Sequence, residues 1–446
     1  MLVKISNLGP IKKAELLLGK KMTVLCGVNN TGKTYVSYLL YYLFSENQSF
    51  MLRPFARIHF GDNTSYQLSR EIVDQWLDSF STYIKSNISS IFGISNSQAQ
   101  ELLGDFSMSM SISDSEFEGI VSNAFKQGVR FNHNEMTIQK RKRSRVFHFS
   151  VVSLNSQALK VDMDSLLSVS MNMVFKRMLL GSYRSFMFTV ERNSIYTFKT
   201  ELSITRNELL NKIIEASDGN TPTPIEANRY PVAIFDSLRY ANDIVNISKK
   251  HGHFYELATK IETDLLLGKV ITSDRGDISL MVGKDIIPIH ITSSIVKTLS
   301  SFVLYLKHMA YPGDSVFIDE PEMNFHPYNQ ILITRLFSLL SNKGIHFIIS
   351  THSDYVIREL NNLVMAGELM GENEQYVKGI GYESEQVLEK DDMAVYNFIR
   401  HGDGVYVNPV EVTETGFPVD SIDNAIERQN ADTELLFGKL MEKAKY

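Results

Sequence analysis

The chain has a single cysteine, Cys26, in 446 residues. No internal disulfide can form, and the composition suits a reducing compartment, so a cytoplasmic location is expected. No stretch reaches the ~20 uninterrupted apolar residues needed to span a bilayer. The opening Met-Leu-Val-Lys-Ile-Ser-Asn carries no secretory apolar run, so no membrane partner is expected. There is no excess of positive charge: the formal net charge is −6, which argues against a surface that coats nucleic acid indiscriminately and leaves only local basic patches. No fixed-period repeat and no sustained heptad occur, which argues against a long coiled coil. What is present is a globular composition. Hydrophobic residues make up 43% and aromatics 11%, enough to bury a substantial core.

Three textures follow one another. Residues 1–60 open with strand-like pieces, and the apolar run Met22 to Cys26 leads through a glycine loop into the apolar, helix-like Tyr35 to Phe44. Residues 61–265 read as a mainly helical insertion with polar breaks at Ser95 to Gln98 and Asp218 to Pro224, and strand-like stretches near 146–152 and 186–198. Residues 266–446 return to alternating strands and helices. There, Ser315 to Ile318 reads as a buried strand, His326-Pro327 as a helix start, Lys343-Gly344 as its stop, and His346 to Ser350 as the next strand. That βαβ order predicts a parallel α/β sheet with a right-handed crossover.

The chemistry concentrates at four places. Gly27-Val-Asn-Asn-Thr-Gly-Lys-Thr34 has the G-x-x-x-x-G-K-[ST] spacing between a strand and a helix. Glycines let successive backbone N–H groups turn toward phosphate, and the helix N-terminus adds positive potential. Gly27, Asn29, Asn30, Thr31 and Gly32 form the cradle; Lys33 reaches the β- and γ-phosphates, and the Thr34 hydroxyl ligates Mg²⁺. Asp319-Glu320 closes the second apolar strand, where one carboxylate can hold the Mg²⁺ shell and the other can polarise water. Thr351-His352 closes the next strand, a position from which the imidazole can donate to the γ-phosphate. Ser293-Ser294 precede the helical run Ile295 to His308; they fit a phosphate-binding helix start and an ordinary serine N-cap equally well.

Taken together, these segments resemble an ABC-type ATPase head, and within that class the overcoming-lysogenisation-defect (OLD-like) ATPases. The resemblance rests on Ile5-Ser-Asn-Leu-Gly-Pro-Ile11, the 27–34 loop, Ile318-Asp-Glu-Pro-Glu-Met-Asn-Phe-His-Pro327 and Thr351-His-Ser-Asp-Tyr355. Val190-Glu-Arg-Asn193 also resembles a Pro-Ala-Glu-Arg segment of that family. The likeness covers roughly the first 45 and the last 180 residues. It implies an ABC-type P-loop ATPase head with a helical insertion, ATP and Mg²⁺ as cofactors, Glu320 as base, Asp319 as Mg²⁺ ligand, and His352 as switch residue. It also implies Asn324 in the D-loop and Ser293 as the signature serine touching the γ-phosphate of the opposite copy. The signature here reads Ser-Ser-Ile-Val-Lys in place of the transporters' Ser-Gly-Gly-Gln-Arg/Lys. The Q-loop glutamine has two candidates, Gln139 and Gln157.

The implied partners are a second copy in a head-to-tail dimer, or a higher oligomer built from it, a separately encoded effector, and a phage trigger protein. DNA stays open. Only 94 residues follow His352, with no Asp-x-Asp of a Toprim nuclease, so any nuclease is expected to be a separate protein. The resemblance extends to the ATPase subunits of PARIS and Septu-type anti-phage systems, which implies a sensor and scaffold role. The alternative is a DNA-repair or end-processing ATPase related to RecF and SMC heads. Lys140 to Arg145 puts five positive charges in six residues, read either as solvated surface or as a site for phosphates or an acidic partner. His251-Gly-His253 has too few ligands for a metal site.

Overall fold

The structure is a computed structural model that describes residues 1–45, 52, 54–55, 65–131, 134–153, 163–182, 184–197 and 230–443. Its centre is a nine-stranded sheet. In spatial order the strands are Ser107–Ser111, Leu2–Leu8, Ile11–Leu17, Gly404–Val410, Met393–His401, Met22–Cys26, His346–Thr351, Ser315–Asp319 and Ser185–Phe188. The last five run parallel to one another. They read as continuous apolar runs because both faces are covered: every residue of Met22–Cys26 and of Ser315–Asp319 is buried. Alternation survives within the run, since Phe317 points into one core and Val316 and Ile318 into the other.

On the first face lies the helix Lys33–Phe44, backed by Arg70–Ser86 and Met163–Leu180 with Trp76, Phe80 and Phe175 fully buried. On the second lie Ser294–His308, Pro327–Asn342 and Asp354–Met370. The crossover helix Pro327–Asn342 starts where expected: His326 is its N-cap, accepting from the Tyr328 N–H, and proline occupies the first turn. Its exit at Lys343 leads to Gly344, whose φ of 95° suits glycine.

The 61–265 stretch is joined to the large sheet. It supplies both edges of the large sheet: Ser107–Ser111 pairs antiparallel with Leu2–Leu8, and Ser185–Phe188 pairs parallel with Ser315–Asp319. The remainder holds helices and a four-stranded sheet of Ser65–Gln67, Val146–Ser153, Asn134–Lys140 and Phe125–Phe131. Ser95 to Gln98, read as a break, is a capping box that opens the helix Asn96–Leu103. Within 186–198 the strand ends at Phe188, and Arg192–Thr197 is a helix. The break at Asp218 to Pro224 lies outside the described residues. The basic run divides. The Lys140 ammonium is buried and donates to the carbonyls of Val121 and Ser144 at 2.9 and 3.2 Å, while Arg141, Lys142 and Arg143 are exposed. Among the described residues no helix is long and apolar enough to cross a membrane.

Candidate functional site

Strand register brings the motifs together. Asp319 pairs with Ser350 across Ser315–Asp319 and His346–Thr351, and Thr351 pairs with Cys26 across to the loop strand. Gly27, Glu320 and His352, each just past its strand, therefore stand side by side at the carboxyl edge of a parallel sheet, where ligands of open α/β sheets bind.

The loop's path depends on its glycines. Gly27 has φ 137°, and a Cβ there would lie 2.8 Å from the Phe398 carbonyl oxygen, so no other residue fits. Gly32 (φ 90°) and Asn30 (φ 61°) complete the curl. Gly32 caps Lys33–Phe44 without a side-chain hydrogen bond, which leaves a helix N-terminus facing the loop's interior. The buried Lys33 ammonium donates to the carbonyls of Gly27 and Val28 at 2.8 and 2.9 Å. Burial pulls its pKa down, against the opposing attraction of Glu320, Asp319 and Glu322. Thr31 closes the turn by donating to the Val28 carbonyl at 2.8 Å. Asn29 and Asn30 are exposed on the loop's outer side, and Arg400 of the neighbouring strand donates to the Asn30 carbonyl.

The acidic turn interlocks with the loop. Thr34 Oγ1 donates to Asp319 Oδ2 at 2.9 Å, while Ser350 Oγ donates to Asp319 Oδ1. A hydroxyl and a carboxylate are the hard oxygen donors that Mg²⁺ takes, so the chemistry of this pair fits that ion. Asp319 is 1% exposed, and burial raises its pKa; a cation at Oδ2 would reverse that. Glu320 has φ 48°, a strained position for a side-chain-bearing residue, and Asn324 has φ 65°. The Glu320 turn is held by its own N–H donating to the Ser350 carbonyl at 3.1 Å, and from below by Arg192. That guanidinium is 4% exposed and donates to the carbonyls of Thr189, Asp319 and Glu320 at 2.9, 2.8 and 2.8 Å. Burial lowers its pKa to about 10.

Three side chains converge above the turn. His352 Nδ1 lies 3.5 Å from Glu320 Oε1 and 3.6 Å from Glu322 Oε1. The hydrogen bond with Glu320 raises the His352 pKa, and the same bond lowers that of Glu320 despite partial burial. Glu320 is thus the ionised, half-exposed carboxylate of the pair. Glu322 differs: it is 5% exposed, burial raises its pKa, and its Oε1 accepts from Thr351 Oγ1 at 2.7 Å and the His352 N–H at 2.9 Å. It anchors the end of the His346–Thr351 strand.

Ser293, Ser294 and Asn324 form a separate, exposed patch. Ser293 is the N-cap of Ser294–His308 with no side-chain cap bond, and Ser294 Oγ donates to the Asn324 carbonyl at 3.3 Å. Among the described residues none of the three is hydrogen-bonded to the 27–34 loop. Gln139 sits in the four-stranded sheet, paired with Lys126 and His148, and Gln157 lies outside the described residues.

Sequence reasoning did not assign Arg192, Glu322 or Arg400. Arg192 had a signal in the Glu-Arg segment after a short apolar run, and Glu322 in the second acid of Asp-Glu-Pro-Glu. Arg400 had none, since only the sheet order brings it to the loop. A cavity of about 490 Å³ opens beside Thr34, lined by Gly9, Pro10, Tyr35, Phe92 and Leu102.

The family model of the AAA ATPase domain matches residues 1–357. No curated protein matches the chain. Among solved structures the chain is similar to an SMC head bound to the C-winged helix domain of ScpA, at 10% identity over 93% of this chain and 98% of that one, TM-score 0.37. It is similar also to the SMC head domain from Thermotoga maritima, at 11% identity over 92% and 98%, TM-score 0.32. A third is the Smc head with an extended coiled coil bound to the C-terminal domain of ScpA, derived from Pyrococcus furiosus, at 10% identity over 97% and 98%, TM-score 0.36.

Proposed function

This chain belongs to the AAA ATPase domain family, and on that premise we propose that it binds Mg²⁺-ATP at residues 27–34 and hydrolyses it in a site completed by a second copy. The observation that carries the reading is the 2.9 Å contact between Thr34 and Asp319, which joins the phosphate loop to the acidic turn. Thr34 and Asp319 would hold Mg²⁺, which when bound neutralises phosphate charge. Lys33 exchanges two loop carbonyls for the β- and γ-phosphate oxygens, a gain in charge pairing for a buried ammonium. Glu320, its pKa lowered by His352, accepts a proton from the attacking water. Arg192 fixes the backbone that aims Glu320. The adenosine end fits the cavity beside Thr34, against Tyr35 and Phe92.

The head then consists of 1–60 and 266–446, completed by strands from 61–265. In the second copy, Ser293, Ser294 and Asn324 supply the facing half. The biological role that the motif set supports is a sensor and scaffold in bacterial anti-phage defence, governing a separately encoded effector. Lys33→Ala tests the chemistry: ATP turnover should vanish, and undiminished turnover in a clean preparation would end the proposal. Copurification with the products of neighbouring genes tests the role. Hydrolysis stimulated by DNA, with no such complex, would favour DNA-end processing instead.

A further inference from the structure

The chain's last element is the 24-residue helix Asp420–Lys443. Every residue from Glu427 to Glu442 on it is exposed, including Leu436 at 68%, Phe437 at 62% and Leu440 at 65%. A helix in water draws most of its stability from burying an apolar face. This one carries such a face, and from Glu427 to Glu442 no other described residue of the chain buries it. The spacing is specific: Ile422, Ile426, Gln429, Thr433, Leu436 and Leu440 recur at intervals of four and three, the seam of a short coiled coil about three heptads long.

We propose that this helix pairs antiparallel with the same helix of a second copy. Charge selects both the partner and the direction. From residue 420 to 434 the sequence has Asp420, Asp423, Glu427, Asp432 and Glu434 against Arg428 alone. From 435 onward it has Lys439, Lys443 and Lys445 against Glu442. Parallel pairing would set acid against acid along the first half. Antiparallel pairing sets the acidic half of each helix against the basic end of the other, and opposes the two helix dipoles favourably. The seam agrees. Centred on residue 431, antiparallel register matches Ile422 with Leu440, Ile426 with Leu436 and Gln429 with Thr433, so apolar meets apolar and the two polar positions meet each other. Lys439 also bonds Glu442 of its own helix at 2.8 Å, an exposed pair that contributes little and can exchange. The contact is two-fold symmetric and closes at a dimer. It needs no nucleotide, so it stands apart from the ATP-dependent closure proposed above. It would hold two heads at high effective concentration between closures.

The test is the mass of the full chain in solution without nucleotide. The parent should run as a dimer, and Lys33→Ala should too. Leu436→Glu with Leu440→Glu should give a monomer with an unchanged melting temperature and unchanged ATP binding, because both side chains are exposed. Direction is read by cross-linking. Ala425→Cys mixed with Lys439→Cys should form the mixed disulfide dimer, and Ala425→Cys alone should form none; Cys26 is buried and silent. A parent that is monomeric without nucleotide, or a double variant that stays dimeric, overturns the pairing. Cross-linking of Ala425→Cys to itself overturns the antiparallel direction.

Discussion

Two parts of the candidate site are built in opposite ways. The phosphate loop and the acidic turn are knitted together within one chain: Lys33, Thr34, Asp319, Ser350 and Arg192 are tied by hydrogen bonds, mostly at buried positions. The patch of Ser293, Ser294 and Asn324 is exposed, with one 3.3 Å contact inside it and none to the loop. A preorganised half and an unengaged half are what the proposed two-copy site requires. On the function proposed above, the knitted half binds nucleotide by itself and the patch acts on the nucleotide of another copy. Variants in the two halves should therefore fail in different ways.

The largest effect belongs to the knitted half. Glu320→Gln should keep ATP bound and slow hydrolysis by roughly 10²-fold or more, the scale of a lost general base. It should also trap the closed dimer, visible as an ATP-dependent mass increase. Normal turnover would remove Glu320 from the base role and turn attention to Glu322, although the Oε1 of that residue is already committed to Thr351 and the His352 N–H.

Next comes the patch. Ser293→Arg puts bulk and charge on the outer face while Lys33 and Thr34 stay untouched. ATP binding and the melting temperature should match the parent, and hydrolysis should fall by about tenfold or more, the cost of about 1.4 kcal/mol or more at the reacting phosphate. Mixing it with Lys33→Ala should restore part of the activity, since one mixed interface pairs an intact loop with an intact serine. Parental turnover by well-folded Ser293→Arg would mean that each chain works alone.

A smaller effect separates support from chemistry. Arg192→Lys keeps the charge but cannot reach three carbonyls at once. Leaving one or two of them unpaired should cost about 1–3 kcal/mol, read as a lower chemical-denaturation midpoint, with turnover reduced because the Glu320 turn loosens. An unchanged midpoint with unchanged turnover would show that the turn holds itself.

How much of this was legible beforehand follows the same division. Loop, acidic pair and strand-end histidine announce themselves because each follows an apolar run at a fixed spacing, and those runs read directly as buried strands. The edges of the sheet were legible only in part. Ser185–Phe188 opens the 186–198 stretch read as strand-like, but its place beside Ser315–Asp319 shows only in the pairing, and the other edge, Ser107–Ser111, gave no strand signal. Arg192 lies 127 residues from Asp319, the backbone group it holds, and no local pattern encodes such a contact. The C-terminal helix escaped for another reason: three heptads are too few to stand out as a coiled coil, and its exposed apolar face is apparent only once the fold leaves it uncovered.

The smallest effect is a shift in one titration, and it tests how the base is kept ready. His352 has its pKa raised from 6.5, first by its bond with Glu320, then by the charges of Glu322 and Glu320, against burial and the nearby Lys33. A raised histidine contributes stability that is fully present below its ordinary pKa and disappears as pH rises through the folded value. Glu320 is lowered from 4.5, so its share is present above that value and disappears as pH falls through the lower folded one. The charged pair therefore spans the interval from below 4.5 to above 6.5, and alkaline pH opens it by deprotonating the imidazole. In the nucleotide-free protein the His352 ring proton should titrate above 6.5 by NMR. Glu320→Gln should move that midpoint down, leaving only the weaker pull of Glu322. Glu322→Gln should move it less, because burial already favours the neutral form of that carboxyl. If the two variants shift the midpoint in the reverse order, His352 is paired with the anchoring glutamate. Glu320 would then be free of the histidine, and only Lys33 and Arg192 would lower its pKa against partial burial.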